Sequence, residues 1–385
     1  MMLAGLYIHI PFCVNKCPYC DFYSITDTSL HPVFLDALIT EMQFTRHEGL
    51  QFDTLYIGGG TPSVLDVKSI DRIIESAHRS YPIDTEPEIT VEVNPDTVTL
   101  EQLKGYQRAG INRINIGIQS FDSNNLRFLK RSHSVSDINQ AITWVVKSGF
   151  EKLGLDLMYG IPGQTKTSWL SDLQQTVASE PQHISCYMLT FEPGTPLDEG
   201  RLKSHIVPLT DENICDLYET ARTFLADRGY VQYEISNFAY ANAIESQPLN
   251  PEHNQSRHNL KYWSFAPYIG LGPSAHSFIE PKRFWNHSSV EKYMVDLTKG
   301  RLPIEGIETL NQEQVMTEAI YLGLRQTKGI PIDVFNNMFT QNFHARFKDT
   351  IEDLEEKGLV KCSQSHCALT PKGMMLLDSI VSTFT

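Results

Sequence analysis

From residue 5 to about 190, short β-branched runs alternate with longer stretches of helical periodicity. Residues 6–10, 54–58, 89–93, 113–118, 152–158 and 183–189 read as strands. Between them, residues 32–46, 67–79 and 135–147 place apolar side chains every three to four positions and read as helices. Strands alternating with helices predict βαβ units on a parallel sheet, either open and doubly wound or most of a (β/α)8 barrel.

The strand faces separate these outcomes. Ile89, Val91 and Val93 oppose Thr90 and Glu92, a polar face that continues to Asn94. Ile114, Ile116 and Ile118 oppose Asn115, Gly117 and Gln119, and Leu153, Leu155 and Leu157 oppose Gly154, Asp156 and Met158. The first strand sets Leu6, Ile8 and Ile10 against Tyr7 and His9. Parallel strands between helix layers are normally apolar on both faces, and a closed barrel fills its interior with Val, Ile and Leu. The pattern therefore predicts a barrel with helices outside and a wide or open interior holding a polar ligand. The alternative is that the polar groups pair with one another.

Beyond residue 190 the alternation weakens. A helix over 211–228, a strand over 230–236 and a polar loop over 241–257, broken by Pro248 and Pro251, are expected. From Leu310 onward, helices over 312–326, 333–338 and 345–357, a hairpin from Cys362 to Leu369 and a last helix suggest a small winged-helix-like domain. The expected division is 1–240, a connecting region 241–305, and 306–385.

Composition narrows the function classes. The chain has 385 residues, 41% hydrophobic, enough for two to three packed domains and too apolar for a mostly disordered chain. The net charge of −14 argues against general binding of nucleic-acid backbones, and residues 306–385, with seven basic and ten acidic side chains, argue against DNA binding by the C-terminal module. No Lys or Arg precedes Cys13, so a secretory signal is not expected, and no apolar run has the length of a membrane span. The expectation is a soluble, cytoplasmic, reduced protein.

Three of the seven cysteines, Cys13, Cys17 and Cys20, form a CxxxCxxC run directly after the first strand. Thiolates suit zinc or iron–sulfur clusters. A structural zinc site wants four protein ligands, so zinc needs His9 or a distant residue as the fourth. A four-iron cubane held by three thiolates keeps one iron open.

With this triad the chain resembles the radical S-adenosylmethionine (SAM) superfamily. The run from Tyr7 to Cys13 and on to Phe22 is similar to oxygen-independent coproporphyrinogen III oxidase and its relatives. So are Gly58-Gly59-Gly60-Thr61-Pro62, Glu92-Val93-Asn94-Pro95, Gly117-Ile118-Gln119-Ser120-Phe121, the run from Asp156 to Pro162, Gly270-Leu271-Gly272 with Ser274-Ala275-His276, and the C-terminal module. The resemblance implies an incomplete (β/α)6 TIM-like barrel and a [4Fe-4S] cluster on Cys13, Cys17 and Cys20. It implies SAM on the open iron, split by an electron from the cluster. By position, it assigns SAM contacts to Tyr7, Tyr19, Gly59, Gly60, Thr61, Glu92, Gln119, Arg131 and Asp156, with Thr190 and His276 as weaker matches. Tyr7, Glu92, Gln119 and Asp156 also lie on the polar strand faces read above. The triple glycine admits close backbone approach to a ligand, or is an ordinary strand-end turn. Arg131 is a carboxylate partner or a solvated charge.

Two departures shift the functional expectation. The decarboxylating oxidase has a further cysteine two positions after the triad, where this chain has Phe22, and a long N-terminal extension, whereas here Tyr7 lies almost at the start. Both fit the haem-chaperone branch of the family, which binds haem and passes it to acceptor proteins. That branch carries HNxxYW, here His258-Asn259-Leu260-Lys261-Tyr262-Trp263. Imidazole is a common axial haem ligand and aromatic rings offer a stacking surface; the opposing reading is a structural histidine. Asn259 orients the imidazole or caps a helix, and Lys261 faces solvent. His253 and His287 are read as surface residues, Cys186 and Cys215 as buried thiols, and Cys362 and Cys367 as cross-strand neighbours. The resemblance thus implies a haem chaperone with a cluster, SAM, haem, acceptor proteins and an electron donor. The alternative is oxidase activity, the oxidative decarboxylation of coproporphyrinogen III.

Overall fold

The polar-and-apolar alternation of the first six runs corresponds to six parallel strands. The computed structural model describes residues 3–45, 49–241 and 251–384. The strands are β1 (Ala4–Ile10), β2 (Phe52–Gly59), β3 (Ile83–Val93), β4 (Arg113–Gln119), β5 (Lys152–Tyr159) and β6 (His183–Met188), hydrogen-bonded in that order. The helices α1 (His31–Phe44), α2 (Val67–Ser80), α3 (Leu100–Arg108), α4 (Ser123–Phe128), α5 (Val135–Lys147) and α6 (Lys166–Ala178) lie in the connections. Asp66, Thr99, Asp122, Ser134 and Thr165 cap α2 to α6 through their side chains, each cap contributing about 1 kcal/mol. The outward residues Ile8, Ile57, Val91, Ile116, Leu155 and Ile184 are fully buried, which puts the apolar face of every strand in the core.

The sheet does not end at these six strands. After α7 (Pro196–Leu202) and α8 (Asp211–Ala226), the hairpin β7 (Tyr230–Gln232) and β8 (Asn237–Tyr240) adds antiparallel to β6. The run 230–236, expected as one strand, breaks at Tyr233, where Glu234 accepts from Ser236 N and shapes a turn. On the other edge, β9 (Tyr268–Leu271) runs parallel to β1, and β10 (His276–Ile279), β11 (Lys282–Asn286) and β12 (Ile304–Thr309) follow antiparallel. Among the described residues the outermost strands, β7 and β12, do not pair with each other, and the sheet is an open barrel wall of twelve strands. The stretch expected as a connecting region thus supplies strands and the short helix α9 (Arg257–Trp263). Of the loop expected over 241–257, residues 242–250 lie outside the described residues.

The C-terminal part holds α10 (Val290–Thr298) against α1, then α11 (Gln312–Arg325) and a three-stranded sheet of β13 (Ile330–Pro331), β14 (Val360–Cys362) and β15 (His366–Leu369). The helix expected over 345–357 is two pieces, Phe343–Arg346 and Lys348–Glu356. It breaks at Phe347, whose ring packs edge-on to Phe343 and Phe384. Cys362 and Cys367 face each other across the hairpin, as expected.

Candidate cofactor site and the opposite mouth of the barrel

Parallel strands bring all their carboxyl ends to one mouth, where ligands of α/β folds gather. The cysteine loop leaves the end of β1 there. Its base is closed by Cys13 N to Ile25 O at 2.9 Å and Ile25 N to Pro11 O at 2.8 Å. Thr61 Oγ1 meets Cys13 Sγ at 3.5 Å, and Arg131 Nη1 meets Cys17 Sγ at 3.5 Å. Burial pushes the Cys20 thiol up, and the neighbouring Cys17 and Cys13 add to the shift.

Among the described residues no three His, Cys, Asp or Glu side chains converge as ligands of a single ion. A cubane cluster does not need convergence, because each thiolate takes its own iron. His9, the nearest candidate for a fourth zinc ligand, has Nε2 held by Tyr23 O at 2.9 Å and Nδ1 by Tyr7 Oη at 3.1 Å; burial lowers its pKa to about 4. Three thiols with a guanidinium and a hydroxyl beside them fit a [4Fe-4S] cluster.

The triple glycine is required by close approach. A Cβ on Gly59, which has φ +108°, would lie 2.7 Å from the His9 ring, and one on Gly60 would lie 2.6 Å from Phe12 O. Gly60 N and Thr61 N donate to Ile10 O and Phe12 O, tying the end of β2 to the cysteine loop.

Next in register stand the polar ends of β3, β4 and β5. Arg131 Nη2 donates to Asn94 Oδ1 at 2.7 Å and to Gly117 O at 2.9 Å, and Asn94 Nδ2 donates to Thr61 Oγ1 at 3.2 Å. Arg131 Nη1 also lies 3.5 Å from Tyr19 Oη, so Arg131 is no solvated helix-end charge. Gln119 has φ +65°, and Ser120 N donates back to Ile118 O at 2.9 Å, a γ-turn of a strained kind. The turn is held from α6, where Asp172 accepts from Ser120 Oγ and Phe121 N, both at 2.7 Å.

Deeper in the interior, Tyr56 Oη donates to Glu92 Oε1 at 2.7 Å. Burial first, then the charge of Asp156, raises Glu92 to about 7; burial raises Asp156 to about 6. Two carboxyls poised near neutrality in one polar interior are a pattern common at functional sites. Some interior polar groups do pair with one another, as the alternative reading held, but Asn115 Oδ1 and Thr90 Oγ1 have no hydrogen-bond partner among the described residues.

HNxxYW lies at the opposite mouth. Helix α9 begins at the Ser256 cap and seats His258 over the first residues of β1 and β2. Glu88 accepts from His258 N at 3.2 Å, and Arg113, the first residue of β4, donates to Asn254 O and Gln255 O. His258 is 1% exposed, with Nδ1 2.8 Å from Thr54 Oγ1 and Nε2 3.0 Å from Tyr262 Oη; burial lowers its pKa to about 3. Trp263 stacks under Arg325 of α11 at 4.3 Å. Lys261, expected in solvent, is mostly buried and pairs with Asp53 at 2.6 Å. The cap of α9 is Ser256, not Asn259.

Two assigned residues stay apart from this arrangement. Thr190 is exposed beyond the end of β6. His276 sits on β10 stacked on Trp285, 5.7 Å between centroids, with no contact to the other assigned side chains among those observed. His287, expected on the surface, lies between Asp296 and Glu305; His253 is exposed. Cys186 is buried and Cys215 half-buried. The sequence reading missed Thr54 and Tyr56, whose signal was the same alternation in β2, and Asp172, an acid on the apolar face of α6.

Comparison with known proteins agrees with this layout. The radical SAM superfamily pattern matches residues 7–175 and the HemN C-terminal domain matches 310–376. The solved coproporphyrinogen III oxidase HemN of Escherichia coli superposes with a TM-score of 0.82 over 100% of this chain and 90% of its own, at 22% identity, a likeness of fold. Heme chaperone HemW of Bacillus subtilis is 34% identical over 391 residues, covering 99% of both chains. Heme chaperone HemW of Synechocystis is 35% identical over 340 residues, covering 86% of this chain and 80% of that one. With that level of identity along nearly the whole length, the chain belongs to the HemW family of the radical SAM superfamily.

Proposed function

We propose that the protein is a haem chaperone that carries a [4Fe-4S] cluster and SAM, binds haem and hands it to acceptor proteins. The observation that carries the reading is the full-length likeness to relatives named heme chaperone HemW. Cys13, Cys17 and Cys20 hold the cluster, and Tyr7, Tyr19, Gly59, Gly60, Thr61, Glu92, Gln119, Arg131 and Asp156 hold SAM. Thr190 and His276 are the weaker candidates. When bound, the cluster and SAM together supply one-electron cleavage of the sulfonium. The chain's own residues do the rest. Arg131 balances thiolate charge beside Cys17 and orients Asn94 and Thr61, while Glu92 and Asp156 offer carboxyls to a cationic ligand. His258, Asn259, Tyr262 and Trp263 would hold the haem, with His258 offering the Nε2 that now meets Tyr262 Oη.

Phe22 stands where the oxidase has a further cysteine, and its side chain is 66% exposed beside the cluster loop. We therefore assign no coproporphyrinogen oxidase activity. No described helix is long and apolar enough to cross a membrane, in keeping with the cytoplasmic placement we propose. We place the domain division near residue 310 rather than 306, because β12 belongs to the barrel sheet. The test is anaerobic incubation of cluster-loaded protein with SAM, reductant and coproporphyrinogen III, beside a haem titration. Retained haem and no protoporphyrinogen are expected; turnover without haem binding overturns the reading.

A further inference from the structure

The two mouths of the barrel are joined by one chain of contacts. The His258 ring lies stacked on Tyr56, with centroids 5.0 Å apart and planes 27° apart. Tyr56 in turn donates a hydrogen bond to Glu92 Oε1. Each ring nitrogen of His258 faces a hydroxyl, Thr54 on one side and Tyr262 on the other, so neither is free for a metal in this arrangement. Gly5 allows the ring to sit so low on β1: a Cβ there would lie 3.1 Å from His258 Cε1 and 3.3 Å from Thr54 Oγ1. Tyr7 completes the column, 6.2 Å from Tyr56 and 6.4 Å from His258 between centroids.

We propose that His258, Thr54 and Tyr56 position Glu92, so that the HNxxYW segment and the SAM site are one linked unit. His258 Nε2 would have to give up Tyr262 Oη to hold haem, and a shift of the ring would disturb the face on which Tyr56 rests. Glu92 would then lose the donor that fixes it. The inference rests on the proposed function, because it needs haem at His258 and SAM at Glu92. Linkage is reciprocal: if both ligands draw on one arrangement in opposite senses, each weakens the other by the same factor.

The experiment uses the full-length, cluster-loaded protein. SAM affinity is measured by calorimetry and by the change in the cluster's paramagnetic resonance on adding SAM, and haem affinity by the Soret band. Each ligand is titrated with and without the other. The expected result is a common weakening factor of roughly tenfold in both directions. Tyr56→Phe keeps the ring and removes the donor to Glu92; it weakens SAM several-fold, leaves iron content unchanged, and tightens haem, because the bond that haem binding would disturb is already gone. Thr54→Val keeps the shape and frees Nδ1; it weakens SAM and tightens haem. Independent titrations, or variants that lower only thermal stability and leave SAM affinity intact, overturn the proposal. Failure of the unaltered protein to bind haem or SAM overturns the functional reading itself, and is visible before any variant is made.

Discussion

Arg131 grips Asn94 Oδ1 at 2.7 Å with one guanidinium nitrogen while the other lies 3.5 Å from Cys17 Sγ. One side chain therefore ties the end of β3 to the cysteine loop. A lysine retains the charge but not the planar fork. Arg131→Lys is expected to retain full iron after reconstitution yet bind SAM roughly tenfold more weakly, since charged hydrogen bonds are worth about 1.5–3 kcal/mol. Iron quantitation with SAM calorimetry checks this; unchanged SAM affinity would exclude Arg131 from the site.

Glu92 sets a pH dependence. Its folded pKa is about 7, raised by burial. Above that pH the group is a carboxylate ready for a cationic ligand, and below it the proton must first be lost. SAM affinity should fall as pH drops from 8 to 6, and Glu92→Gln should bind weakly and keep only the shallower slope near pH 6 that Asp156 contributes. Calorimetry at stepped pH gives the answer, and a flat profile for the unaltered protein would remove Glu92 from the cation's reach.

Gln119 separates stability from function. Its φ of +65° costs an ordinary side chain on the order of 1 kcal/mol, which glycine avoids. Gln119→Gly is expected to raise or preserve the thermal midpoint while weakening SAM binding. Asp172→Ala, which leaves Phe121 N and Ser120 Oγ without their acceptor, should lower both. Melting curves beside SAM titrations distinguish the two patterns, and a Gln119→Gly variant with full SAM affinity would make the strain purely structural.

Much of the upper mouth was legible in the chain because strand alternation has a fixed period. Strand alternation in the sequence alone puts Glu92, Gln119 and Asp156 on the polar faces. Tyr56 escaped although β2 has the same alternation, because its hydroxyl partner sits 36 residues away. The buried pair of Arg113 and Glu88, 3.6 Å apart, is equally a product of register. HNxxYW was readable as a motif but not as a plug. Nothing local says that α9 folds back across the starts of β1 and β2, where Glu88, Thr54 and Arg113 receive it. Strands β9 to β12 were hidden by their brevity, four to six residues each.

Replacing Cys13, Cys17 and Cys20 together by alanine should abolish the iron bound after anaerobic reconstitution and its broad visible absorbance. The hydrophobic core lies on the outer face of the strands, so circular dichroism should show the fold intact. Stoichiometric iron in that variant would refute the cluster assignment.

Haem binding is the claim on which the functional account stands, and a Soret titration of the cluster-loaded protein tests it most directly. The account predicts saturable binding of one haem per chain, with the band shifted or lost in His258→Ala. Absorbance that rises without saturation, no different from free haem, would contradict it.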